Sequence, residues 1–174
     1  INPNNDDALN NKGAALHNQG KLTRAIKYYA KALKINPNRN SSSYNKNQAL
    51  KQMRKIDQKI KSDAKHKKEI TCLDAALKIT PNDCRLLKNK GDILAELGRH
   101  KSAITSYDKA ILLGATDPEI FINKSMSLIK LDRLSGALDS ITHALELEPD
   151  SMVSKTVQKI INQKLESIKN IFIE

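Results

Sequence analysis

The chain has no tryptophan, and phenylalanine and tyrosine together make up only 3% of its 174 residues. An aromatic-rich core is excluded, so burial must come from aliphatic side chains and alanine. There are two cysteines, Cys72 and Cys84, with no CxxC pattern and no histidine at ligand spacing. A zinc site needs about four ligands, so none is expected. The two thiols read as small, half-buried residues of a reducing compartment. No apolar run approaches the ~18 residues of a membrane span. The N-terminus lacks the charged and apolar blocks of a signal peptide, and an intracellular, cytoplasmic chain is the expectation. GxxxxGK[ST], GxGxxG and HExxH are all missing. His17, His66, His100 and His143 are scattered over different positions. No catalytic residue, cofactor site or metal ligand can be nominated, and the chain reads as a non-enzyme. Strand signals are equally scarce, because the β-branched residues fall at helical spacing without alternation.

What is present is a repeat. Asn11-Lys12 returns as Asn45-Lys46, Asn89-Lys90 and Asn123-Lys124, at steps of 34, 44 and 34 residues. Leu16, Leu50, Leu94 and Leu128 each follow the Asn by five. Further on come Ala25, Tyr29 and Ala32, then Ala103, Tyr107 and Ala110, then Ala137, Ile141 and Ala144; the odd copy supplies Glu69, Leu73 and Ala76. The units close on Pro37, Pro81 and Pro149, with Ala115 in the remaining place. This pattern resembles the tetratricopeptide repeat, a helical hairpin of about 34 residues with a large residue and a Gly in its first helix and small Ala residues in its second. The resemblance covers nearly the whole chain and is weakest in the second repeat. It implies an all-α fold, a right-handed superhelix (α-solenoid) of antiparallel helix hairpins with a C-terminal capping helix.

The chain is expected to form a single domain of nine helices. Repeats fall at about 5–38, 40–83, 83–116 and 117–150, and a capping helix at about 151–171. Gly20 and Gly98 turn the chain between paired helices. Asp117-Pro118 reads as a cap followed by Pro at the first helical position. In the second repeat the apolar stripe Leu50, Met53, Ile56, Ile60 runs past the expected turn, so the ten extra residues extend the hairpin. Its helices are expected at about 41–61 and 64–79, with the turn at Ser62-Asp63. Ile1-Asn2-Pro3-Asn4 matches Ile35-Asn36-Pro37-Asn38 in phase. The chain therefore reads as a fragment of a longer repeat array, open to self-association through its N-terminal repeat.

The resemblance places the recurring Asn on the concave face. Asn11, Asn45, Asn89 and Asn123 can then form a ladder along a peptide-binding groove, because a primary amide offers donors and an acceptor to an extended backbone. The other reading is that each Asn bonds the neighbouring repeat. Neighbouring slots that would set specificity include Asn10, His17, Tyr44, Gln48, Arg85, Lys88, Asp92, Ile122 and Met126. The charge is uneven: residues 1–83 carry a net +10 and the remainder +1. Much of the excess lies on the overlong hairpin, at Lys51, Arg54, Lys55, Lys59, Lys61, Lys65, Lys67 and Lys68. The expected function is a non-catalytic scaffold that binds a protein or peptide ligand. The alternatives are RNA or acidic-ligand binding through this basic hairpin, or a targeting module of a larger enzyme. The stretch lacks the interleaved aromatics that single-stranded nucleic acid binding uses for stacking, which counts against nucleic acid.

Overall fold

A computed structural model describes residues 5–171, and the sequence match of residues 1–4 lies outside them. Eight α-helices are present among the described residues, not nine, and they contain no strand. No described helix is long and apolar enough to cross a membrane. The helices are α1 (Asp6–Asn18), α2 (Leu22–Ile35), α3 (Asn40–Ile79), α4 (Cys84–Glu96), α5 (His100–Leu112), α6 (Pro118–Lys130), α7 (Leu134–Leu147) and α8 (Met152–Ile171).

Three hairpins follow the 34-residue period: α1–α2, α4–α5 and α6–α7. Each turns on one left-handed residue, nine positions after the recurring Asn: Gly20 (φ 71°), Gly98 (φ 72°) and Asp132 (φ 58°). That conformation disrupts an L-residue helix and favours Gly, with Asp and Asn tolerated. Helix starts are set by side-chain oxygens that accept otherwise unpaired N–H groups. Asn5 accepts from Ala8, Asp83 from Arg85 and Leu86, and Asp117 from Glu119 ahead of Pro118.

The second repeat departs from expectation. Instead of two helices joined at Ser62-Asp63, residues 40–79 form one helix of 40 residues. The ninth position after Asn45 is Arg54, which does not favour a left-handed turn. Residues 38–80 contain neither Gly nor Pro. Once a helix is nucleated, each further residue adds a hydrogen bond at little cost, so only a strong breaker stops it. Ser-Asp between helix-forming Lys, Gln, Ala and Ile is too weak a breaker. The expected basic hairpin is consequently a basic helix.

The described chain divides into two compact units, one ending at Ala64 and one beginning at Lys65. The boundary falls inside α3. In the first unit, Leu16, Leu22, Ala25, Tyr29 and Ala49 form the core, with Ile26, Tyr28 and Met53 packed against it. At its other end Arg39 pairs with Asp6 (2.7 Å) and Asp7, in the first turn of α1. In the second unit α5 packs on α6, and α7 on α8, so consecutive hairpins stack. One cluster centres on Leu87, Leu94, Ala103, Tyr107, Ala110 and Ile120. The next centres on Ile122, Leu128, Ile141, Val157 and Ile161, which joins α8 to the last hairpin.

Candidate functional site

The recurring Asn residues occupy one position of the repeat but not one environment. Asn11 and Asn89 are exposed. Asn45 donates to Asn10 Oδ1 (3.3 Å), and Asn123 donates to Asp92 Oδ1 (2.9 Å). Two of the four amides thus bond the first helix of the preceding repeat. Asn10, expected on a groove, is buried and also accepts from Ser42 (3.1 Å). A buried amide must find partners, and at this position they come from α3. Ile122, also expected on a groove, is buried in the core of the last hairpin, because its turn of α6 faces α7 and α8. His17 bonds Gln52 (2.9 Å). Tyr44, Gln48 and Arg85 are exposed without side-chain partners among the described hydrogen bonds. The eight basic residues from Lys51 to Lys68 are all exposed on α3, and Lys65 lies 3.7 Å from Glu69.

In the second unit Asp92 organises the α4–α6 face. Its carboxylate accepts from Tyr107 Oη (2.8 Å), Asn123 Nδ2 (2.9 Å) and Lys88 Nζ (3.0 Å). Burial, then this hydrogen bond, push the Tyr107 phenol far above its ordinary range, so it stays a donor. Lys88 also reaches Glu119 (2.8 Å). Burial alone would lower its pKa, but the bonds to Glu119 and Asp92 outweigh that and raise it. Lys88 is therefore a charged tie between α4 and α6, already engaged by two carboxylates.

Beside this network lies a cleft of about 300 Å³ lined by Asp92, Glu96, His100, Asn123, Met126, Ser127 and Lys130, among others. Met126 is 48% exposed. Three buried side-chain polar atoms in the described residues have no hydrogen-bond partner, and two of them, His100 Nδ1 and Ser127 Oγ, belong to this lining. Buried polar groups are ordinarily paired, so the wall holds hydrogen-bonding capacity that the chain does not use. The two imidazole nitrogens can donate or accept according to tautomer, and a hydroxyl does both.

Two of the four lysines that follow the recurring Asn, Lys90 and Lys124, have a shared role that sequence reading missed. Lys90 pairs with Asp74 (2.6 Å) and Lys124 with Asp108 (2.7 Å), each on the preceding helix. Lys12 lies 4.8 Å from the centre of the Tyr28 ring. The signal was available, since Asp74 and Asp108 are themselves 34 residues apart. No group of three or more His, Cys, Asp or Glu among the described residues is arranged to hold a metal ion.

Residues 6–39 and residues 85–113 each match a family model described as tetratricopeptide repeat. No curated protein matches the chain in sequence. In fold the chain is similar to a double mutant of MamA from Desulfovibrio magneticus RS-1, at 15% identity and a TM-score of 0.56, over 95% of this chain and 87% of that one. It is also similar to YrrB, described as a TPR protein with an unusual peptide-binding site, at 19% identity and a TM-score of 0.52, over 91% of this chain and 94% of that one. A third likeness is the Sgt2 TPR domain from Aspergillus fumigatus, at 15% identity and a TM-score of 0.50, over 95% of this chain and 82% of that one.

Proposed function

The chain belongs to the tetratricopeptide-repeat family, and from that premise we propose that its second unit is a non-catalytic interaction module that binds an extended protein segment on the α4–α6 face. The observation that carries this reading is the cleft beside Asp92, which presents the exposed Met126 and the partly engaged amide of Asn123. A segment crossing it would lay an apolar side chain on Met126. Asn123 keeps a second amide hydrogen and its carbonyl oxygen for the segment's backbone. Lys88 offers this face no free cation, because Asp92 and Glu119 already engage it. That YrrB is described as having a peptide-binding site on the same kind of fold supports the reading.

The test uses a peptide selected from a random display library on the wild-type chain. A lost neutral hydrogen bond costs ~0.5–1.5 kcal/mol net and lost apolar cover adds to it, so Asn123→Ala with Met126→Ala should weaken binding about tenfold or more. The helical circular dichroism signal should be unchanged. Changing Lys59, Lys61, Lys67 and Lys68 to Glu should leave that affinity within about a factor of two at moderate salt, since screened surface charges contribute little. If the lysine variant fails and the α6 variant binds normally, α3 is the binding site and the proposal is wrong.

A further inference from the structure

Between Asp7 and Asp57 the chain has eleven Lys and Arg and no acidic residue. Four of them, Arg24, Lys27, Lys31 and Lys34, follow one another on α2 at steps of three, four and three. They therefore share one face, turned away from the buried Leu22, Ala25, Tyr29 and Ala32. All four are exposed. Lys12 closes one edge of this face. Its ammonium lies 4.8 Å from the centre of the Tyr28 ring, and that of Lys31 lies 5.6 Å from it. A hydrogen bond from Lys12, then its charge and those of Lys31 and Arg24, hold the Tyr28 phenol below its ordinary range. The repeat does not require this charge. The same positions hold Ser102, Thr105, Lys109 and Leu112 in α5, and Gly136, Asp139, His143 and Glu146 in α7. Like charges three and four apart on a helix repel, so the stripe costs the hairpin stability.

At the other edge a counter-ion is missing. Lys90 and Lys124 each pair with an Asp sixteen residues back, on the preceding helix. From Lys46 the same step leads to Ala30, on α2. Lys46 is half-buried and has no carboxylate partner among the described ion pairs. A cation partly withdrawn from water is stabilised by a carboxylate beside it. We propose that this face of the first unit binds an acidic segment of a partner protein, extended along α2. One of its carboxylates takes the place beside Lys46 that Asp74 and Asp108 fill in the later repeats. From Arg24 to Lys34 the helix rises ~15 Å, a length that an extended chain covers in about five residues. The carboxylates that meet Lys90 and Lys124 show which anion suits this position. Nucleic acid bases find no free ring to stack on, because two ammonium groups already crowd Tyr28. A membrane surface calls for apolar side chains beside the cations, and from Leu22 to Lys34 the other exposed residue is Thr23. The basic stretch of α3 fits the segment less well, since Asp57 and Asp63 interrupt it.

The experiment titrates a fluorescently labelled glutamate octamer with the full chain at ~0.15 M salt, where charges are screened beyond ~8 Å. Binding is read by anisotropy. Lys27→Gln, Lys31→Gln and Lys34→Gln together should weaken it about tenfold or more, the sum of three exposed ion pairs. All three side chains are exposed, so the helical circular dichroism signal should be unchanged. Ala30→Asp should weaken binding about fivefold, because the new carboxylate claims Lys46. Gln48→Glu makes the same change in charge on another face, and it should stay within about a factor of two. Lys59, Lys61, Lys67 and Lys68 changed to Gln should do the same. The proposal is overturned if the octamer does not bind, or if the α2 variant binds it as the wild type does. It is equally overturned if the α3 variant loses as much as the α2 variant, or if Ala30→Asp and Gln48→Glu act alike. RNA of equal charge or phosphatidylserine vesicles, bound more tightly than the octamer and through the same three lysines, would also overturn it.

Discussion

Tyr107 is the most constrained side chain of the second unit. It is fully buried, its hydroxyl donates to Asp92, and its ring closes over Gly91. A Cβ on Gly91 would lie 2.4 Å from the ring. Gly91→Ala should therefore destabilise the unit by ~1–3 kcal/mol, the usual cost of overpacking. Adding Tyr107→Leu should recover part of the loss, and chemical denaturation of the single and double variants checks both statements. An unchanged midpoint for Gly91→Ala would show that the ring moves aside freely. The Gly and Tyr positions were readable from the 34-residue step, because a recurring small residue facing a recurring large one is what a close helix contact requires. The role of Asp92 was not. Only Lys88, four residues back on α4, is a local partner; Tyr107 and Asn123 come from α5 and α6, and nothing local in the sequence marks those bonds.

Helix starts tie distant segments together, and the start of α1 does so through charge. Asp6 sits in its first turn and pairs with Arg39, just ahead of α3. The hydrogen bond from Arg39 holds the Asp6 carboxyl below its ordinary range. A group whose folded pKa is lowered stabilises the fold above its unfolded value and loses that contribution as pH falls through the folded one. The first unit should thus weaken below about pH 4, the ordinary Asp value. Arg39→Gln should remove the part of that acid sensitivity that belongs to Asp6. Thermal melts at pH 6 and pH 3 measure it: the variant should lose stability at pH 6, and the gap to the wild type should narrow at pH 3. A constant difference at both values would show that the pair contributes nothing. Helix boundaries were legible wherever a cap or a breaker stands, as at Gly20, Asp117 and Gly98. They were not legible at Ser62-Asp63. An apolar stripe shows only that a helix continues, and stopping it takes a residue that resists helix geometry.

The two units have separate cores, one around Tyr29 and the others around Tyr107 and Ile141. A cavity in one should therefore leave the others intact. Tyr29→Ala should cost ~3–5 kcal/mol, as large-to-small aromatic truncations do. The loss should show as lowered hydrogen-exchange protection in α1 and α2, while the amides of α5 and α7 keep theirs at low micromolar concentration. Equal loss across all helices would mean one cooperative unit. The all-α repeat was plain from periodicity alone. The division into units was hidden, because it depends on the missing turn in α3 and on no feature of the cores themselves.

That missing turn has a genetic side. The left-handed residues Gly20, Gly98 and Asp132 are all exposed and bury nothing, and Arg54 in the same slot is exposed as well. Arginine and glycine codons differ by a single base. A lineage can therefore lose the torsion that folds a repeat of regular length back on itself, as at Gly20 or Gly98, through one point mutation, without touching any core side chain. Selection can act on how many binding faces such an array presents while its packing stays unchanged.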